Sequence, residues 1–243
     1  MKLCILENDD IDPAVADTYV GYGAMFERLL RAAGAQGEFA VFNTVRGDYP
    51  ASFDDFDAVL LTGSRADAFS QEPWVLTLKG HVQTLLQAKK KLIGVCFGHQ
   101  LIALCLGSPV GRAPQGWGAG RMSYHWLAAD QPGAQGRSEI ALLASHQDQV
   151  LALPDGARLL ATSDFCPIAA YAVQQHVFCV QAHPEFVAPY SAYLLNKRRA
   201  VLGEEQYGRC MQSLEQPQEG LAVARMMLAF VGQEAAQPSA ASA

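Results

Sequence analysis

The chain lacks several features that would assign it at a glance. No apolar run reaches the roughly 20 residues that a bilayer span requires, and none of its cysteines stands in a Cys-x-x-Cys pair. The six cysteines, Cys4, Cys96, Cys105, Cys166, Cys179 and Cys210, are scattered through mostly apolar stretches. Neither a disulfide framework nor a zinc site is expected, and nothing in the pattern calls for a metal or a cofactor. Positive charge is not in excess either: 18 Lys and Arg against 24 Asp and Glu leave a net charge of −6. That balance argues against nucleic acid or an anionic membrane as the main partner. The opening residues, Met1-Lys2-Leu3-Cys4-Ile5-Leu6, run straight into Glu7, Asp9 and Asp10. They read as a strand, without the long apolar stretch and small-residue cleavage site of a secretory leader. A reducing cytoplasm is the expected compartment.

What remains is a chain of 243 residues, 50% hydrophobic and 17% charged, with ample apolar material for a core. Short apolar runs alternate with helical patterns in the first half. Strands are expected at 2–7, 39–42, 57–62 and 92–95, and helices at 14–33, 74–88 and 100–106. Gly21 and Gly23 weaken the first of these helices near its start. This alternation predicts a parallel, helix-covered sheet, in which ligands bind at the carboxyl ends of strands. After Gly107 the texture changes to short strand-like runs at 121–127, 140–145, 158–161, 168–173 and 177–181. These predict a mainly antiparallel second half of the sheet or an edge layer. Helices return at 190–202, 204–214 and 220–230, the last with an apolar stripe around Met226, Met227, Leu228 and Phe230 that is expected to cover the core. No repeat or long linker is visible, so residues 1–232 are expected to form one domain that includes the helices of 189–232. The Ala/Ser/Pro-rich residues 233–243 are expected to be poorly ordered.

One stretch organises the rest: Lys91-Leu92-Ile93-Gly94-Val95-Cys96-Phe97-Gly98-His99-Gln100. An apolar strand enters a Gly94-x-Cys96-x-Gly98 turn, and a helix starts at once. Glycines on either side of a central residue suit a nucleophile elbow, where no Cβ fits at the flanks. A cysteine there sits at a helix N-terminus, which favours the attacking thiolate. The amide of Phe97 is placed to bind an oxyanion. The plainer alternative is that Cys96 is an inert packed thiol. The catalytic alternative needs a base, an orienting acid and a second oxyanion donor elsewhere.

Three other stretches could supply them. Val177-Phe178-Cys179-Val180-Gln181-Ala182-His183-Pro184-Glu185 is an apolar strand ending in His-Pro-Glu. His183 and Glu185 are two apart, so in extended backbone they face the same way, and Pro184 biases His183 towards that shape. Glu185 could then hold the imidazole as the orienter of a triad. The alternative is a satisfied strand-end His beside a first-turn helix acid. In Leu60-Leu61-Thr62-Gly63-Ser64, the amide of Gly63 could be the second oxyanion donor, or the segment could be a simple turn. In Ala144-Ser145-His146-Gln147-Asp148, polar groups could hold the amino and carboxyl ends of an amino-acid substrate, or could merely cap a helix. His99, although inside the elbow motif, reads as structural. Trp74, Trp117 and Trp126 read as core, with pocket lining as the other possibility.

Gly-Val-Cys96-Phe-Gly-His-Gln, Ser-His-Gln-Asp and His183-Pro-Glu185, in this order, resemble the class I glutamine amidotransferase domain, most nearly that of GMP synthase type. The resemblance runs from Leu3 to about Phe186. It implies a flavodoxin-like doubly wound α/β fold, a mixed sheet with helices on both faces. It also implies that Cys96 attacks the side-chain amide of glutamine to form a γ-glutamyl thioester. His183 would be the base and then the acid, oriented by Glu185, with the amides of Gly63 and Phe97 as oxyanion hole. Gln100, Ser145 and His146 match positions that hold glutamine. The oxyanion strand departs from the Gly-Gly-Pro usual in the GMP synthase branch. Thr62-Gly63-Ser64 followed by Arg65-Ala66-Asp67-Ala68, together with Val110-Gly111-Arg112-Ala113 and Gly116-Trp117, looks like stand-alone members, including γ-glutamyl peptidases that act on glutathione-type substrates.

The expected activity is therefore cleavage of a γ-glutamyl amide, with glutamine as substrate and release of ammonia and glutamate. γ-Glutamyl peptides are the rival substrates, and a separate synthase subunit is a possible partner. A peptide leaving group needs an open pocket, whereas ammonia needs a closed tunnel. Another class of function is a non-catalytic or redox-regulatory protein on the same fold, since an elbow thiolate is prone to oxidation. A general base beside the thiol argues against it. An α/β-hydrolase relative is disfavoured because its acid should precede its His.

Overall fold

A computed structural model describes residues 1–232. The expectation for residues 233–243 falls outside the described residues. In chain order the strands and helices are β1 (Lys2–Glu7), α1 (Ala16–Tyr19), α2 (Tyr22–Ala32), β2 (Glu38–Asn43), β3 (Ala58–Leu61), α3 (Pro73–Gln87), β4 (Lys91–Val95), α4 (Phe97–Cys105), β5 (Val110–Arg112), β6 (Gly118–Trp126), β7 (Glu139–His146), β8 (Asp148–Val150), β9 (Ala157–Thr162), β10 (Ala170–Val173), β11 (Val177–Val180), α5 (Ala188–Ser213) and α6 (Gly220–Val231).

Nine strands form one mixed sheet in the order β2-β1-β3-β4-β11-β10-β9-β6-β7. The first five pair in parallel and the remainder antiparallel. β5 and β8 make a separate two-stranded antiparallel ribbon, which the sequence pattern did not reveal because each strand has only three residues.

The central strands are apolar on both faces because both faces are covered. Leu3, Ile5, Leu60, Ile93 and Val95 pack with Phe26 and Leu30 of α2 and with Val223, Met226 and Met227 of α6. Their alternates Cys4, Leu6, Val59, Leu61 and Leu92 pack with Val75, Leu78, Val82 and Leu85 of α3 and Leu101 and Ile102 of α4. The apolar stripe of α6 is thus core. Burying a Leu, Ile or Phe side chain is worth about 1.5–3 kcal/mol, so these two clusters fix the order of the strands.

The helix expected at 14–33 is broken. A 3-10 turn at Pro13–Val15 and the short α1 lead to Val20, whose φ is 66°, and α2 starts only at Tyr22. The cause is Glu7 at the end of β1. Its carboxylate accepts the Gly23 amide at 2.9 Å and so takes the place of a helical turn at the start of α2. A Cβ on Gly21 would lie 2.5 Å from the same carboxylate. Further on, Gly203, with φ 74° and ψ 160°, interrupts α5, so the two expected helices meet there. Among the described residues no helix is long and apolar enough to cross a membrane.

Candidate active site

Three strand ends meet at one place. β4 pairs in parallel with β3 on one side, Gly94 opposite Leu61, and with β11 on the other, Val95 opposite Val180. The residues that follow these strands, Gly63, Cys96 and His183, are therefore delivered side by side. The amide of Cys96 donates to the carbonyl of Val180 at 3.0 Å, and the amide of His183 to the carbonyl of Leu143 at 2.9 Å.

The turn at Cys96 is strained. Its φ of 52° and ψ of −103° lie in the region that disfavours residues with a side chain, at a cost of about 1–3 kcal/mol. The flanking glycines make the turn possible. A Cβ on Gly98 would lie 2.5 Å from the Leu61 carbonyl oxygen, and one on Gly94 would meet the backbone of Gly98 and His99 at 2.8 Å. α4 begins directly after Cys96, so the Phe97 amide has no acceptor within the helix. Cys96 lines a pocket of about 230 Å³. Burial pushes the thiols of Cys4, Cys166 and Cys179 up to about 12 and that of Cys105 up to about 11, which makes them poor nucleophiles at neutral pH.

His183 Nδ1 lies 2.7 Å from Glu185 Oε1, and the Cys96 side chain is near enough to the ring to act on its charge. Both His183 and Glu185 are buried. The imidazole stacks on Phe186, with centroids 3.9 Å apart and planes 8° apart. Burial opposes the charge on His183, but the nearby charges of Glu185 and Cys96 outweigh it and raise its pKa to about 10. Gly63 faces the pair: a Cβ there would lie 2.7 Å from His183 Cε1 and 3.5 Å from Cys96 Cβ. Its peptide is held from behind, since the buried Thr62 hydroxyl donates to the Gly63 carbonyl at 3.0 Å and accepts the Asn8 amide at 2.9 Å.

The other expected positions also converge. Gln100, Ser145 and His146 line the Cys96 pocket. Gln100 Nε2 donates to the Asp148 carbonyl at 2.8 Å and to Gln181 Oε1 at 3.1 Å, which leaves its oxygen for a ligand. Burial lowers the pKa of His146 to about 4 and that of His99 to about 3, so both are neutral at pH 7. His99 lies against Tyr171, whose hydroxyl donates to the His99 carbonyl at 2.9 Å. Trp117 lines the pocket, Trp126 is core, and Trp74 stacks on Phe97.

Charged residues that residue-by-residue reasoning did not single out complete the walls. Arg112 pairs with Asp148 at 2.5 Å and with Asp67 at 2.9 Å. Arg65 pairs with Asp9 at 2.8 Å. Arg198 of α5 also lines the pocket. Arg65, Asp67 and Arg112 belong to stretches conspicuous in the sequence. Arg198 gave no signal within Lys197-Arg198-Arg199, which reads as a solvated helix face.

A model of the family described as "Glutamine amidotransferase class-I" matches residues 14–197. The chain is a class-I glutamine amidotransferase by family. Gamma-glutamyl peptidase 3 of Arabidopsis thaliana is 35% identical over 175 residues, which cover 68% of this chain and 70% of that protein. A glutamine-hydrolyzing GMP synthase subunit of Methanocaldococcus jannaschii is 34% identical over 168 residues, 68% of this chain and 82% of that protein. The crystal structure of a glutamine amidotransferase from Thermotoga maritima superposes with a TM-score of 0.78, covering 96% of this chain and 99% of its own, at 16% identity. This likeness bears out the mixed α/β fold with helices on both faces of the sheet.

Proposed function

We propose that this class-I amidotransferase hydrolyses a γ-glutamyl amide through a thioester on Cys96. The observation that carries the reading is the meeting of Cys96, the His183–Glu185 pair and Gly63 at adjoining strand ends.

The raised pKa of His183 favours an imidazolium beside Cys96, whose thiolate is the attacking form. The thiolate attacks the γ-carbonyl carbon and the S–C bond forms. The amides of Gly63 and Phe97 receive the developing oxyanion. The C–N bond then breaks as His183 donates its proton to the departing nitrogen. Neutral His183 next takes a proton from water, whose oxygen attacks the thioester. Glutamate leaves and the thiolate is restored, with the water proton back on His183. Glu185 holds the ring through Nδ1 in both halves.

The acyl group has a suitable pocket. Asp148 and Asp67 share one guanidinium, that of Arg112, so this side of the pocket offers carboxylate oxygens to an α-ammonium. The Gln100 oxygen, Ser145 and His146 flank it. Glutamine and γ-glutamyl peptides share this acyl half, and the similarity to gamma-glutamyl peptidase 3 supports the peptides. The similarity to a GMP synthase subunit supports a second reading, a glutaminase that hands ammonia to a separate synthase.

The test is steady-state hydrolysis by the purified chain of L-glutamine and of γ-glutamyl dipeptides, with Cys96→Ala as control. Mass spectrometry of the quenched reaction is expected to find a glutamyl adduct on Cys96. Turnover that survives Cys96→Ala would sink the mechanism.

A further inference from the structure

The nitrogen that leaves must lie against His183, because that ring protonates it. His183 lines a small pocket of about 40 Å³ beside the Cys96 pocket, together with Gly63, Leu194 and Arg198. This small pocket shares Asp9, Tyr22, Arg65, Leu194 and Arg198 with a third one of about 260 Å³. The acyl pocket therefore continues past His183 into an outer groove. The rim of that groove meets solvent, since the side chains of Arg65 and Lys197 are 68% and 53% exposed. A leaving group larger than ammonia can follow this path.

The charges along the groove nearly all cancel. Asp9 is paired with Arg65, Asp10 with Arg46, and Asp12 with Lys197. Arg198 is left over. Among the described residues no carboxylate forms an ion pair with it. Among these residues its guanidinium contacts the Leu194 carbonyl, at 3.5 Å, and the face of Trp117, 4.8 Å from the ring centroid. Arg198 is also common to the acyl, middle and outer pockets. A half-buried guanidinium whose fork holds no carboxylate is a ready partner for one, in a bidentate, charge-assisted pair. Burial further disfavours its charge while it stays unpaired.

Resting on the γ-glutamyl reading above, we infer that the outer groove is the leaving-group subsite and that Arg198 binds a carboxylate of the departing amine. The substrate class is then a γ-glutamyl amino acid or peptide with a free carboxylate on its leaving half.

The experiment compares L-glutamine, γ-L-glutamyl-L-alanine and its carboxamide, γ-L-glutamyl-L-alaninamide, on the wild type, Arg198→Gln and Arg198→Lys. The wild type should prefer the carboxylate to the carboxamide in kcat/KM by on the order of tenfold or more, the worth of one charge-assisted pair. Arg198→Gln should erase that preference, mainly through KM, and Arg198→Lys should restore part of it. Circular dichroism confirms that the variants fold, and the ratio within each variant is independent of how much enzyme is active. Equal losses on all three substrates in Arg198→Gln would overturn the inference, because Arg198 would then act on the shared glutamyl half or on the fold. Wild-type turnover of glutamine alone would overturn it while leaving the γ-glutamyl reading intact. Turnover of none of the three would overturn both.

Discussion

His183 Nδ1 and Glu185 Oε1 are 2.7 Å apart across a single intervening proline, and neither side chain is open to solvent. Glu185 is therefore placed to fix both the tautomer and the charge of His183. Replacing it with Gln keeps the shape but lets the amide present a donor to the ring. Glu185→Gln is expected to lower kcat by about 10²–10⁴-fold. It also removes a major charge that raises the pKa of His183, so any limb of the kcat/KM–pH profile due to His183 should move to lower pH. A profile identical to wild type would show that Glu185 does not set the charge of His183.

Gly63 tests the oxyanion side at the point where it abuts the triad histidine. An added Cβ would press on His183 Cε1 at 2.7 Å, and the ring is braced from behind by Phe186. Gly63→Ala should cost on the order of 10²-fold in kcat, the usual loss when an oxyanion donor is displaced. Because the contact is with one side chain and not with backbone, the midpoint of urea denaturation should fall less than when a new Cβ meets a strand carbonyl. Full activity in this variant would remove Gly63 from the proposed machinery.

Gly98→Ala should behave in the opposite way. Its Cβ would meet the Leu61 carbonyl oxygen at 2.5 Å, and β3 is held between β1 and β4. Backbone on both sides cannot yield cheaply. The expected loss is about 3 kcal/mol of stability, with activity lost in proportion to the unfolded fraction. Denaturant titration followed by tryptophan fluorescence measures it.

The buried histidines set an acid limit. Burial holds His99 at about 3 and His146 at about 4 in the folded chain, against about 6.5 when unfolded. Between these values the unfolded state binds more protons, so stability falls as pH drops below about 6.5. His183 works at the other end. Its folded pKa of about 10 stands above 6.5, so its contribution is complete below about 6.5 and is lost as pH rises towards 10. Stability measured from pH 4.5 to 6.5 should rise with pH. His99→Phe should flatten that rise by about 1.4 kcal/mol per pH unit, one proton's worth. An unchanged slope would mean that His99 is already protonated or takes up no proton on unfolding.

Much of the first half of the fold could be read from local pattern. The apolar runs of β1, β3 and β4 and the glycines at Gly94 and Gly98 need only their neighbours to be interpreted. The break before α2 could not, because its cause is Glu7, a residue on another element. β5 and β8 were invisible for a different reason: three residues carry no periodicity, and the ribbon exists because its strands pair with each other.

The site divides along the same line. The sequence by itself determined the glycines on either side of Cys96, the two-residue spacing of Glu185 from His183, and the place of Gly63 just after an apolar run, because these depend on a few neighbouring residues. Only the tertiary structure decided that β11 enters the sheet parallel to β4 in the register Val95–Val180, which sets His183 beside Cys96. It also brought Arg198 from α5 over the same pocket, with no carboxylate paired to it among the described residues. Strand order and helix placement follow from burying two apolar faces at once, a balance over the whole chain that no short stretch contains.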